Sequence, residues 1–304
     1  MSTTSPTRES NVVSLPVRRA ETGGAQPEPA RIFEFAPAAS ARETDRLGTA
    51  EQVRCEVEQV ITAIAANRIE VLFQPQVTLA DDRLVGLEAL VRLRDEDGQF
   101  LDTGRVVTLA EQQDIIGVLG RRAVETAVVA FSQSAFAGTD VRLALNCSPL
   151  ELSNRGYAIW LTSLLEDSGL DPRQVELEVT ENTPVDLRSP QPEQLTALHE
   201  VGVGIAVDDF GRGFANWQRV LSLPTTTVKL DRAIIAKVLT CQRTELLIGH
   251  LARTGQDLGY RLVAEGIETP EQAERVQAAG CAVGQGFGLG RPVPLSVLER
   301  RGRS

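Results

Sequence analysis

Histidine is nearly absent: the 304 residues hold only His199 and His250, both in stretches that read as helical. This argues against a histidine-based triad and against a histidine zinc site. Cysteine is sparse as well. Cys55, Cys147, Cys241 and Cys281 stand far apart with no CxxC pair, so neither a zinc ribbon nor a disulfide framework is indicated. They read as reduced, small core residues. No apolar run approaches the roughly 18 residues of a membrane span. The opening MSTTSPTRES has no basic start followed by an apolar stretch, so no secretory signal is read and a cytoplasmic location is expected. Lysine is scarce too: of 31 basic residues, only Lys229 and Lys237 are lysine.

What is present is ordinary for a soluble protein, with 42% hydrophobic and 24% charged residues. The length allows two domains of roughly 150 residues or one large barrel with a tail. Residues 1–48 contain six acids and six arginines, so the rest of the chain owns the whole net charge of −10. Such a body is not a non-specific duplex binder, which would need Lys and Arg to neutralise phosphates. A phosphate-ester ligand would have to bring cations with it.

Residues 1–48, with five prolines among Ser, Thr, Gly and Ala and no periodicity, read as a disordered tail. Its one apolar cluster, RIFEF at 31–35, is either a docking segment for a protein partner or a chance cluster. From about Thr49 the pattern changes. Val53, Val57, Val60, Ile61 and Ile64 predict a helical face, followed by strands at 71–79 and 83–93 joined so closely that they must be antiparallel. Further strands are predicted at 141–146, 175–180, 204–209, 226–230, 261–265 and 281–285. Helical patterns near 154–168, 191–201, 213–222, 233–258 and 270–279 lie between them. Eight strands alternating with helices predict an α/β fold: a (β/α)8 TIM-like barrel over residues 49–304 with an antiparallel start.

Nearly every strand carries a polar residue toward its C-terminal end: Glu88, Asn146, Glu178, Asp208 with Asp209, Lys229, Glu265 and Gln285. In such a barrel these ends converge on the face where active sites are built. Any one of them could be a strand-end cap, but the recurrence on seven strands points to a site. Two carboxylates 4 Å apart repel by roughly 4 kcal/mol at an effective dielectric of about 20, so the cluster needs protons or cations. Carboxylates plus an amide oxygen suit Mg2+ or Mn2+, and the adjacent Asp208 and Asp209 could serve a pair of ions. Lys229, kept inside the apolar TTVKL, suggests a need for a compact ammonium that arginine cannot replace.

GLEALVR, NCS, ELEVTE, DDFGRGF, VKLD, AEGIE and GQGF, in this order over about residues 50–298, resemble the EAL-domain cyclic-di-GMP phosphodiesterases. The resemblance implies a barrel that hydrolyses one phosphodiester bond of cyclic di-GMP to linear pGpG with two divalent cations. It implies that Glu88, Asn146, Glu178 and Asp208 hold one ion and Asp208, Asp209 and Glu265 the other. It gives Lys229 the task of orienting or deprotonating the attacking water, and Gln285 that of holding water at the metal. Arg92 resembles the arginine that grips a substrate phosphate, with a surface pairing to Asp95 as the plain alternative. Gln74 either contacts the ligand or caps a strand. Glu181 and the segment DDFGRGF, with Phe210 and Gly211, resemble elements that couple the metal site to a homodimer. Glu268 either supports the neighbouring loop or caps a helix.

The chain departs from the family pattern at Leu93, Thr108, Asp114, Arg212 and Thr226, none of them a proposed ligand. A catalytically weak cyclic-di-GMP receptor or docking module is the competing expectation. An enolase-type barrel is disfavoured, since the 48-residue tail is too short and polar to form a capping domain.

Overall fold

The computed structural model describes residues 50–180, 189–212 and 217–301. The predicted tail, 1–48, and Glu181 lie outside them. The first helix, α1 (Ala50–Ala65), turns Val60 and Ala63 inward with Val53, Val57 and Ile64 at their flanks. Ile61, expected on that face, is exposed, because about 100° of rotation per residue carries it off a stripe centred on Val60. The strands β1 (Ile69–Thr78) and β2 (Leu84–Leu93) then form the antiparallel pair, with Gln74 opposite Glu88 and Gln76 opposite Gly86. Their turn is closed by the Thr78 N–H donating to the Arg83 carbonyl at 2.9 Å. Asp82 takes the left-handed conformation (φ 53°) that Asp tolerates better than most residues.

Two helices that the sequence reading did not name, α2 (Thr103–Gln112) and α3 (Ile116–Ser132), carry the chain to β3 (Arg142–Asn146). Asp102 caps α2 by accepting from the Arg105 N–H at 2.9 Å. There follow α4 (Pro149–Leu152), α5 (Tyr157–Ser168), β4 (Val175–Thr180), α6 (Gln191–Glu200), β5 (Gly204–Phe210), α7 (Trp217–Ser222), β6 (Thr227–Leu230), α8 (Arg232–Ile235), α9 (Gln242–Leu258), β7 (Arg261–Ala264), α10 (Pro270–Ala278), β8 (Val283–Gln285) and α11 (Leu295–Arg301). The single helix expected over 233–258 is thus two. The Thr240 and Cys241 N–H groups fold back onto the Lys237 carbonyl, and Cys241 is extended before α9. Ile235 and Val238 stay buried through this turn, so the apolar periodicity looks unbroken in the sequence.

All eight strands pair in sequence order and close into a barrel. β2 to β8 are mutually parallel, whereas β1 is antiparallel to both β2 and β8. On the outer face of the barrel, the strand residues Leu143, Val175, Leu177, Ile205 and Val228 share one apolar core with helical residues such as Val124, Leu161, Leu195 and Ile248. A second cluster joins Val60 of α1 to Val91 and Leu93 of β2, Val106 of α2 and Leu119 of α3. Truncating a fully buried leucine such as Leu177 to Ala would cost about 2–5 kcal/mol.

The lumen differs from the branched-aliphatic filling usual in this architecture. On β4, Glu176 and Glu178 alternate with the apolar Val175, Leu177 and Val179, so both carboxylates enter the barrel. β5 separates β4 from β6, yet Glu176 bonds Thr227 and Glu178 bonds Lys229, so these contacts cross the lumen. At the N-terminal end Glu176 accepts from Thr227 Oγ1 at 2.5 Å and from Arg261 Nη2 at 2.6 Å, with Arg142 Nη1 at 3.5 Å.

Candidate functional site

At the opposite end of the barrel, Glu88, Glu178, Asp208 and Glu265 gather around one ammonium, with Asp209 beside Asp208 and Glu265. Lys229, completely buried, places Nζ 2.6 Å from Glu265 Oε1, 2.7 Å from Glu178 Oε2, 3.4 Å from Asp208 Oδ1 and 3.7 Å from Glu88 Oε2. Asn146 Nδ2 donates to Glu88 Oε1 at 2.9 Å, and Gln285 Nε2 donates to Glu88 Oε2 and, at 3.2 Å, to Gln74 Oε1. Gln74 in turn donates to the Gly290 carbonyl at 3.1 Å. The strand-end residues singled out in the sequence are therefore brought together, Gln74 among them.

Local backbone makes this convergence feasible. Gly266, directly after Glu265, has φ 71°, and a Cβ there would fall 2.3 Å from Arg232 Cβ, so only glycine lets the chain turn away beneath Glu265. Asp209 also adopts a left-handed φ of 56°, which turns two adjacent carboxylates toward the same region.

The electrostatics are dominated by burial. Desolvation pushes Glu178 well above the ordinary carboxylate range despite Lys229 beside it, and Glu88 and Asp208 add to the rise. Burial acts on Glu88 in the same direction, but Lys229 and hydrogen bonds from Asn146 and Gln285 hold that carboxyl below its usual value. Asp209 is pushed up to about 8 by desolvation and by Asp208, with Asp231 contributing and Arg212 opposing. Burial would lower Lys229, but the surrounding carboxylates carry it well above its ordinary value, so it is an ammonium here.

Asp208, Asp209 and Glu265 each offer an oxygen within 4.8 Å of the others, all three buried. Glu178 Oε1 and Asp208 Oδ1 are buried without a hydrogen bond. Hard oxygen donors with unspent acceptor capacity and surplus negative charge fit a divalent cation, and the cluster can hold one.

Arg92 is buried rather than paired with Asp95 at the surface. Its Nη1 donates to the Val91 carbonyl at 2.7 Å and lies 3.5 Å from Thr103 Oγ1, while Nη2 is buried without a partner. Phe210 is buried with its ring edge-on to Trp217, centroids 5.0 Å apart, and Gly211 follows at φ 92°. Arg212 Nη1 lies 3.4 Å from Asp209 Oδ2. The Glu268 side chain is exposed; Thr269 is the residue that caps α10, in a capping box with Gln272. Sequence reasoning missed Asp231, which caps α8 beside Asp209. It also missed Gln76, buried on β1 and bonded to Gln285. The signal for Gln76 was its position two residues after Gln74, hence on the same strand face.

A closed eight-stranded barrel with an acidic, lysine-centred mouth defines the class of protein. The EAL domain model matches residues 57–292, and the chain belongs to the EAL domain family. It is 30% identical over 237 residues to the oxygen sensor protein DosP of Escherichia coli, a match covering 78% of this chain and 30% of DosP. It is 30% identical over 238 residues to the cyclic di-GMP phosphodiesterase RocR of Pseudomonas aeruginosa, covering 78% of this chain and 61% of RocR. The chain thus spans only part of the length of these relatives. Among solved structures, the PaMucR phosphodiesterase in complex with c-di-GMP superimposes with a TM-score of 0.73 at 29% identity, over 81% of this chain and 99% of that one. The EAL domain of Mycobacterium smegmatis DcpA gives 0.65 at 29% identity, over 78% and 99%.

Proposed function

We propose that the chain is a cyclic-di-GMP phosphodiesterase that hydrolyses one phosphodiester bond to give linear pGpG, using two divalent cations, Mg2+ or Mn2+. The observation that carries this reading is the complete set of carboxylates and amides in the mouth around Lys229. Relatives named for this activity, RocR and NbdA, and a c-di-GMP complex of a structural neighbour support it. Glu88, Asn146, Glu178 and Asp208 would hold one cation, and Asp208, Asp209 and Glu265 the other. The cations supply Lewis acidity, lowering the pKa of water and offsetting the charge of the phosphoryl oxygens. Lys229, as an ammonium, orients the attacking water and balances charge that develops on the phosphoryl group. Gln285 holds that water through its amide, and the buried Arg92 and Gln74 position the substrate.

The same reading includes a homodimer coupled to the mouth through Glu181, Phe210 and Gly211, with Glu268 supporting the neighbouring loop. It also includes a cytoplasmic site of action, a single catalytic unit over 49–304 and a protein partner for the tail. No described helix is long and apolar enough to cross a membrane. The Arg212 contact on Asp209 is the one observation favouring a weakly active receptor.

Chromatography of the products after incubation with cyclic di-GMP and Mn2+ tests the proposal. Linear pGpG that disappears with a chelator and in Glu88→Ala is the expected result. Tight binding with no product would establish the receptor instead.

A further inference from the structure

Gln285 ends a strand of only three residues, and its amide is spent on three bonds. Both Nε2 hydrogens are used, toward Glu88 Oε2 and Gln74 Oε1. Its Oε1 accepts from Gln76 Nε2 at 3.1 Å across the seam that closes the barrel, where Gln76 and Gln285 stand opposite each other. An amide has a donor end and an acceptor end, so fixing one end fixes the other. Rotating Gln285 by half a turn would set its oxygen against the Glu88 carboxylate and its NH2 against that of Gln76.

The fold makes room for this arrangement. Gln76 is 1% exposed and lies opposite Gly86, where a Cβ would come within 2.6 Å of Gln76 Oε1. The β1–β2 register shifts between Gln76 and Val77, which re-aims the strand at this point. Gln76 Oε1 is buried without a partner, a cost of about 1–3 kcal/mol that an apolar residue would not incur. The only bond that its donor makes among the described residues goes to Gln285.

We propose that Gln76 is a positioning residue that, together with the acceptor-only Glu88 carboxylate, holds the Gln285 amide with its NH2 end toward the carboxylate cluster. It touches neither substrate nor cation. By holding Gln285 Oε1 from behind, it presents the NH2 group to Glu88 and Gln74; a water held by Gln285 would take over one of these bonds, an extension that rests on the proposed function.

Two measurements test this separately from the activity itself. In metal-free protein labelled with 15N in glutamine side chains, the Gln285 Nε2 signal is identified by its loss in Gln285→Ala. It should shift or broaden in Gln76→Met and in the near-isosteric Gln76→Glu, with melting temperatures confirming that at least one variant is folded. An unmoved signal overturns the proposal whatever the enzyme does. In the Mn2+ assay, Gln76→Met should lower kcat about 10-fold, at the low end for partners that orient metal-site groups, with KM changed less than about twofold. In a Gln285→Ala background the same substitution should cost no more than about twofold. Equal losses in both backgrounds would mean that Gln76 acts through general packing and would also overturn it. If the wild type cleaves nothing, the proposed function fails while the amide signal still decides the role of Gln76.

Discussion

Glu176 and Glu178 stand two residues apart on β4 and both send carboxylates into the lumen, but their surroundings are opposite. Glu176 faces two guanidiniums and a hydroxyl, so positive charge is in excess and every oxygen is engaged. Glu178 shares one ammonium with three other carboxylates, and its Oε1 has no hydrogen bond. The first arrangement is complete as it stands. The second has acceptor capacity left for further positive charge, the difference expected between a structural ion cluster and a candidate binding site on the same strand.

The widest separation should come from removing each charge in turn. Glu178→Gln should lower phosphodiesterase turnover on the order of 10³-fold, yet the melting temperature of the metal-free protein should not fall, because one repelling carboxylate is gone. A drop in metal-free stability would break the contrast. Glu176→Gln should behave in reverse, losing about 2 kcal/mol in urea unfolding with kcat within about twofold; the partial exposure of Arg142 and Arg261 keeps the loss moderate.

A third buried carboxyl sharpens the comparison. Glu151 of α4 caps Ser148, accepting from its N–H at 2.9 Å, but burial pushes it to about 7, with Ser148 and Arg121 only partly offsetting this. A raised folded-state value means that stability is fully present below pH about 4.5 and is lost as pH rises toward 7, by roughly 3 kcal/mol at the limit. Glu151→Gln should therefore gain about 1–2 kcal/mol at pH 8 and little at pH 4.5. A gain of the same size at both pH values would show that Glu151 does not carry this penalty. The smallest effect belongs to Arg212, which is about half exposed. Arg212→Ala should tighten Mn2+ binding by roughly two- to fivefold at low salt and less at high salt. Unchanged titrations would show that its contact with Asp209 has no consequence for the mouth.

The mouth was largely legible in the sequence because strand ends in an alternating β/α chain have one place to go. Glu88, Glu178, Asp208, Lys229 and Glu265 needed only the strand positions and the rule that they converge. Glu176 escaped notice because the same rule looks at strand ends, whereas period-2 alternation in VELEVT already put both glutamates on one face. Gln76 was hidden for a different reason. Its partner lies 209 residues away, across a seam that exists only once the barrel closes. The helices α2 and α3 were passed over between stronger strand signals, and the break after α8 was masked by buried residues on both sides of a turn.

The reversed direction of β1 has an architectural consequence. Because Ile69 pairs with Leu93, the start of β1 lies level with the C-terminal end of β2, and α1 packs there against Val91 and Leu93. In a barrel of uniformly parallel strands the leading segment would join at the far rim. Here α1 instead packs on the C-terminal end of β2, the strand that carries Glu88 and Arg92, so the helix leading into the barrel and the acidic mouth share one strand.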